Sequence, residues 1–117
     1  MHDSACVSRQ VSRERKMRDL EQKTGIRKTV LDEIAAIALK YDVKKVILFG
    51  SRARGDFKRT SDIDLAVEGG DFCRFALDVD EETSTLLEYD VVDLERTMQA
   101  ELLEAIRSEG VVIYEKV

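Results

Sequence analysis

The sequence predicts a small α/β domain, and three observations carry that prediction. Short apolar runs that suit strands alternate along the chain with segments of helical apolar spacing. Glycines stand at the junctions, at Gly50, at Gly69-Gly70 and at Gly110. The 117 residues contain no proline, repeat or low-complexity block to divide them, and that length holds one core and no more.

Taken in order, residues 1–22 are rich in Arg, Ser, Glu and Lys with little apolar periodicity. They read as a frayed tail or solvated helix, outside the core, ahead of a domain spanning 23–117, with Met17 as an alternative start. From Ile26 to about Lys40, the residues Ile26, Val30, Leu31, Ile34, Ile37 and Ala38 fall on one face of an amphipathic helix. Val46-Ile47-Leu48-Phe49 is a continuous apolar run, which suggests a buried strand, and it ends at Gly50-Ser51. Residues 51–61 are polar and basic and suit a short helix followed by a loop. Ile63, Leu65 and Val67 alternate with Asp62, Asp64 and Ala66, a strand with two distinct faces. Residues 72–87 show weaker helical spacing, with Phe72, Phe75, Ala76, Leu86 and Leu87 as candidate core contacts. Residues 89–94 make a third strand. Residues 97–109 make a helix with Met98, Leu102, Leu103 and Ile106 facing inward and Gly110 as its stop. Residues 111–114 close the domain as a fourth strand.

Composition narrows the function classes. With 44% hydrophobic and 37% charged residues, the chain has the make-up of an ordinary soluble globular protein. No apolar stretch is long enough to cross a bilayer, and Met1 to Cys6 lack a signal-peptide core, so a cytoplasmic protein without a membrane partner is expected. Cys6 and Cys73 are far apart and form no metal or redox motif, which predicts free reduced thiols. His2, the only histidine, lies in the tail, which argues against histidine-based general-base chemistry and histidine-rich zinc sites built from this chain. The net charge of −5 is unevenly spread: residues 1–60 carry 15 Lys+Arg against 8 Asp+Glu, and residues 61–117 carry 4 against 16. The basic residues at 44–59 stand just before an acidic cluster, which suits a metal–polyphosphate site. The acidic second half argues against extended nucleic-acid binding.

Three pieces of the chain point to chemistry. Gly50-Ser51 ends a buried strand and opens a short helix, where a glycine lets backbone N–H groups approach an anion and the serine hydroxyl adds a donor. Asp62-Ile63-Asp64 places two carboxylates on one strand face, where their mutual repulsion favours a cation between them. Such hard oxygen ligands suit Mg²⁺, which keeps water and substrate phosphates in the rest of its shell. The third piece is Asp90, at the start of the next strand, which would let the site hold two metals or take a proton from an attacking hydroxyl. Asp93 competes for this role, but the two differ by an odd number and face opposite sides of a strand, so only one belongs to the cluster, and Asp90 is favoured. Arg52, Arg54, Lys58 and Arg59 are candidates to neutralise a triphosphate, Arg52 first.

The stretch Gly50-Ser51, ten residues, then Asp62-Ile63-Asp64 resembles the Gly-Ser-x10-Asp-x-Asp signature of the DNA-polymerase-β-like nucleotidyltransferase superfamily. Leu48-Phe49-Gly50-Ser51-Arg52-Ala53-Arg54-Gly55, Ser61 to Val67, Tyr89 to Leu94 and Gly110 to Glu115 are similar to its minimal branch, short proteins often paired with a HEPN-type helical partner. The resemblance covers about residues 26–117. It implies a mixed sheet of about four strands flanked by helices, and transfer of a nucleoside monophosphate, AMP from ATP, to a hydroxyl acceptor. It also implies two Mg²⁺ ions (Mn²⁺ as the alternative) on Asp62, Asp64 and Asp90, with Asp90 touching only the ion that activates the acceptor, and a nucleotide held by Gly50, Ser51, Arg52 and Arg54. So short a chain has little left to enclose an acceptor, so a partner is expected to supply that surface. In the branch resembled, the partner is in some cases a toxin that its antitoxin adenylylates. The alternative is a contact-only antitoxin that neutralises or stabilises a helical partner without catalysis. Other nucleotide chemistries fit less well: no Gly-Lys-Ser/Thr P-loop is present, and Leu65-Ala66 stand where an aspartate-nucleophile phosphatase needs a threonine. A glycosyltransferase metal site would need a larger domain.

Overall fold

The computed structural model of the chain describes residues 19–96 and 99–116. Residues 19–24 are helical. They lead into α1 (Lys28–Lys40), β1 (Lys45–Phe49), the single-turn α2 (Ser51–Arg54), β2 (Ile63–Glu68), α3 (Phe72–Glu82), β3 (Tyr89–Asp93), α4 (Ala100–Glu109) and β4 (Val111–Glu115). The order of elements is the one the apolar patterning predicts. The largest boundary difference is at α3, which stops at Glu82 because Thr83 is already extended and the Ser84 N–H and hydroxyl both bond the Glu33 carboxylate of α1. Leu86, expected in the core, is therefore fully exposed, and Val79 is buried instead.

The four strands form one mixed sheet in the order β3-β2-β1-β4. β1 pairs antiparallel with both β2 and β4, and β2 pairs parallel with β3. Side-chain alternation gives the sheet two unequal faces. On one face Val46, Leu48, Ile63, Leu65 and Val67 pack with Val30, Leu31, Ile34 and Ala38 of α1 and with Phe75 and Val79 of α3. Each of the larger of these side chains contributes about 1.5–3 kcal/mol by leaving water, so this face carries most of the core. On the other face, among the described residues, only Phe49, Ala66 and Ile106 of α4 are buried, with Ile47, Val92, Leu94 and Leu102 partly covered. Leu103, expected to face inward, is only partly buried; Met98 lies outside the described residues, as do His2 and Cys6.

The core also starts earlier than residue 23. Leu20 belongs to the main cluster, and Thr24 is fully buried, its hydroxyl donating to the Leu20 carbonyl at 2.5 Å. Residues 19–22 are helical, one of the two forms expected of them, and reach the core through Leu20, a single apolar residue in a charged segment with no periodicity to betray it. Among the described residues no helix is long and apolar enough to cross a membrane.

Candidate active site

The more open face of the sheet carries the acidic residues. Asp64 lies in β2 between Ile63 and Leu65, whose side chains enter the main core, so the strand period turns its carboxylate to the other side. There it meets the turn after β1. Gly50 has φ of +76°, and a Cβ built on it would lie 2.1 Å from Asp64 Oδ2. Only glycine meets both demands, the left-handed backbone and the space taken by the carboxylate. α2 begins at the next residue, Ser51, and the Ala53 and Arg54 N–H groups close on the Gly50 carbonyl at 3.1 and 3.0 Å. The N–H groups ahead of them have no helical carbonyl to bond. The glycine–serine turn and the second aspartate thus touch.

β3 brings the third carboxylate. Its parallel register sets Asp90 directly beside Asp64. Asp93 lies beside Val67 at the far end of the strand, and its carboxylate is occupied, accepting from the Glu95 N–H at 2.9 Å and facing Arg96. Of the two candidates, Asp90 is the one near Asp64. Asp62 stands one residue ahead of β2, exposed, as is Asp90. Burial, then the charges of Asp90 and Asp62, push the Asp64 carboxyl up to about 6, partly opposed by the cation of Arg54. Among the described residues no three acidic, histidine or cysteine side chains are gathered into a ready-made metal cage. An all-oxygen donor set with unbalanced negative charge fits a hard dication such as Mg²⁺.

The arginines divide in a way the sequence does not predict. Arg52, the first choice for the triphosphate, is 1% exposed. Its Nε donates to the Ser61 carbonyl at 2.9 Å, Nη1 to Thr24 at 3.0 Å, and Nη2 to Arg59 at 3.2 Å and Lys58 at 3.5 Å. Its guanidinium also stacks on Phe57 at 5.0 Å. With its donors on four carbonyls, Arg52 braces the loop between the Gly-Ser turn and Asp62 and is not placed to grip phosphate. Arg54 is the cation beside the carboxylates. It is partly exposed and held by Glu109 of α4 at 3.0 Å and Asp56 at 3.3 Å. The Glu109 contact, spanning 55 residues, leaves no sequence signal. Lys58 and Arg59 are exposed.

The corner therefore offers hard oxygen ligands, a glycine-walled approach and one tethered cation, a combination suited to a metal-bound polyphosphate. The family described as "Polymerase beta, Nucleotidyltransferase" matches residues 32–117. Two proteins of Methanocaldococcus jannaschii, each named "Putative protein adenylyltransferase", are similar. One is 40% identical over 56% of this chain and 65% of its own, the other 51% identical over 33% and 42%. The chain thus spans less than two thirds of the length of either relative. Among solved structures, a toxin–antitoxin with AMP-PNP superposes with a TM-score of 0.60 at 23% identity, covering 74% of this chain and 73% of that one. A mutant of the toxin–antitoxin MntA-HpeT gives 0.58 at 21% identity with the same coverage. These two likenesses establish a shared fold.

Proposed function

We propose, given that this chain belongs to the polymerase-β nucleotidyltransferase family, that it transfers AMP from ATP to a hydroxyl of a protein partner and releases pyrophosphate. The observation that carries this reading is the position of Asp64, against Gly50 of the turn and beside Asp90 of the next strand. One side chain thereby links a phosphate-approach surface to a second carboxylate.

The residues divide the work as follows. Gly50 and Ser51 receive the outer phosphates, the glycine by leaving room and the serine by its hydroxyl and backbone donors. Arg54 offsets charge on the departing pyrophosphate. Asp90, at the exposed end of the set, lies where an acceptor hydroxyl approaches and takes its proton as the oxygen attacks the α-phosphorus. Asp62, Asp64 and Asp90 would hold two Mg²⁺ ions, which would supply Lewis-acid stabilisation of the attacking and leaving oxygens. The names of the similar proteins support AMP as the group and protein as the acceptor. The toxin–antitoxin neighbours and the lightly covered sheet face support a protein partner, and the motif resemblance makes that partner a helical, HEPN-type protein with this chain as the antitoxin.

The test is transfer of label from ATP to the co-purified partner, read by mass spectrometry. The wild-type chain with Mg²⁺ adds AMP, Asp62→Ala and Asp64→Ala lose the activity, and Arg54→Ala only weakens it. Full activity in Asp64→Ala overturns the reading. The lightly covered sheet face favours a second reading, neutralisation of the partner by contact alone. An Asp64→Ala chain that still neutralises its partner would favour it.

A further inference from the structure

The acidic corner lies at an unpaired sheet edge. β3 is the outermost strand, and among the described residues no strand pairs with its outer side. The phase of its ladder follows from two bonds: Ile63 N–H donates to the Glu88 carbonyl and Leu94 N–H to the Val67 carbonyl, both at 2.9 Å. Main-chain groups of Glu88, Asp90, Val92 and Leu94 therefore turn toward β2, and those of Tyr89, Val91 and Asp93 turn outward. The Asp93 carbonyl accepts the Arg96 N–H at 3.2 Å, which leaves Tyr89 and Val91 to present N–H and C=O pairs. No residue of β3 is fully buried, whereas four of the six in β2 are.

We propose that the acceptor docks here, as an extended, basic, hydroxyl-bearing peptide segment of a protein partner added beside β3 as a fifth strand. The proposal rests on the nucleotidyl-transfer reading and deepens it. A residue paired opposite Asp90 turns its side chain to the same face, with its Cβ about 5 Å from that of Asp90. Its hydroxyl thus stands on the carboxylate side of the sheet. The hydroxyl oxygen forms a bond to the α-phosphorus, the bond to the bridging oxygen breaks, and pyrophosphate leaves with the electron pair. The hydroxyl proton passes to Asp90 and then to solvent. Charge selects the segment: Glu88, Asp90 and Glu95 are exposed along the strand, and residues 61–117 hold 16 acidic against 4 basic side chains. The other free edge, β4, is separated from Asp64 by β1 and carries no member of the acidic set.

Amide hydrogen exchange of the full chain with Mg²⁺ and a non-hydrolysable ATP analogue tests the docking. The probe is a decapeptide of alternating Lys and Val around a central Thr, with Glu replacing Lys in the control. Exchange at Tyr89 and Val91 slows by about tenfold or more with the Lys peptide and not with the Glu peptide. Absence of protection with the Lys peptide, or equal protection with both, overturns the proposal. Val91→Pro removes an outward N–H that β2 does not use, a substitution edge strands tolerate. It abolishes transfer to the Lys peptide with ATP binding unchanged, and wild-type transfer in this variant overturns the proposal. Should the variant not fold, backbone N-methylation of the Lys peptide on the wild-type chain decides: weakening at alternate positions supports strand addition, and indifference to position overturns it. Protection without any AMP transfer from ATP shows strand addition but removes the transferase reading and the acceptor role with it; transfer to the peptide without protection overturns the edge proposal and leaves the transferase reading standing.

Discussion

Asp64 is asked to be ionised in a place that disfavours the charge. Burial and the neighbouring Asp90 and Asp62 raise its carboxyl to about 6 from an ordinary value of 3.8. Between those two values the folded chain binds more protons at this position than the unfolded one. The contribution of Asp64 to stability is therefore fully present below about 4, and is lost as pH rises toward 6. Asp64 is only half-buried, so after allowance for solvent screening the effect is of the order of 1 kcal/mol. Thermal melts of the metal-free chain compared with Asp64→Asn isolate this term. The variant becomes the more stable of the two as pH rises from about 4 to 7, and added Mg²⁺ narrows the gap by stabilising only the wild type. Parallel curves for the two proteins would remove the conflict from Asp64. Gly50 offers a second test. Gly50→Ala forces a Cβ against the Asp64 carboxylate in a left-handed backbone, at a cost of about 1–3 kcal/mol. Transfer activity is lost beyond what the melt explains. Gly55→Ala is the control, because Gly55 has φ of +93° and no atom within 4 Å of the added carbon. It strains the backbone by about 1 kcal/mol and keeps activity.

The single turn of α2 and the loop after it show which parts of the site could be read from the chain. The ten-residue spacing between Gly50-Ser51 and Asp62-Ile63-Asp64 is a local pattern, and strand alternation fixes the side that Asp64 takes, whereas Asp62, expected on the same strand face, stands just ahead of β2 and outside that alternation. The pairing of Asp90 with Asp64 needs the strand order and the parallel register, which parity alone narrows but does not fix. Arg52 is the opposite case. In sequence it is one more cation in a basic loop, but the carbonyls it binds come from Thr24 and from residues 58–61, and no periodicity records such contacts. Its burial separates two roles by measurement. Arg52→Lys keeps the charge but cannot serve four carbonyls with a planar fork, and each buried acceptor left unpaired costs about 1–3 kcal/mol. The melt of this variant falls clearly, and Asp62, whose charge faces Arg52, is no longer held by an ordered loop. If Arg52 instead gripped phosphate, ATP affinity would drop with the melt unchanged. Arg54→Gln is expected to show that second pattern, since its partners Asp56 and Glu109 can turn to solvent.

The two faces of the sheet differ in what they leave open. α1 and α3 seal one, whereas among the described residues α4 alone covers the other and leaves a cleft of about 340 Å³ lined by Ile47, Leu94, Leu103, Ile106 and Arg107. The cleft lies toward the Lys45 end of β1, away from the carboxylates near Phe49, so it is not where the triphosphate is placed. At the carboxylate end the charges themselves decide what binds. A chain of net charge −5 that sets Asp64 beside Asp90 and within the field of Asp62 repels a polyanion, and Arg54 as the tethered cation there is already shared with Asp56 and Glu109. A dication reverses the sign of that interaction. Chelation with EDTA is therefore expected to weaken ATP binding itself by about a hundredfold or more, equivalent to about 2.7 kcal/mol, and not merely to stop transfer. Calorimetric titration of ATP with and without Mg²⁺ measures this, and Asp64→Asn shrinks the difference because part of the repulsion and part of the metal affinity leave together. ATP that binds equally well in EDTA would mean that the carboxylates do not face the triphosphate, and the sheet corner would then serve contact with a partner instead of chemistry.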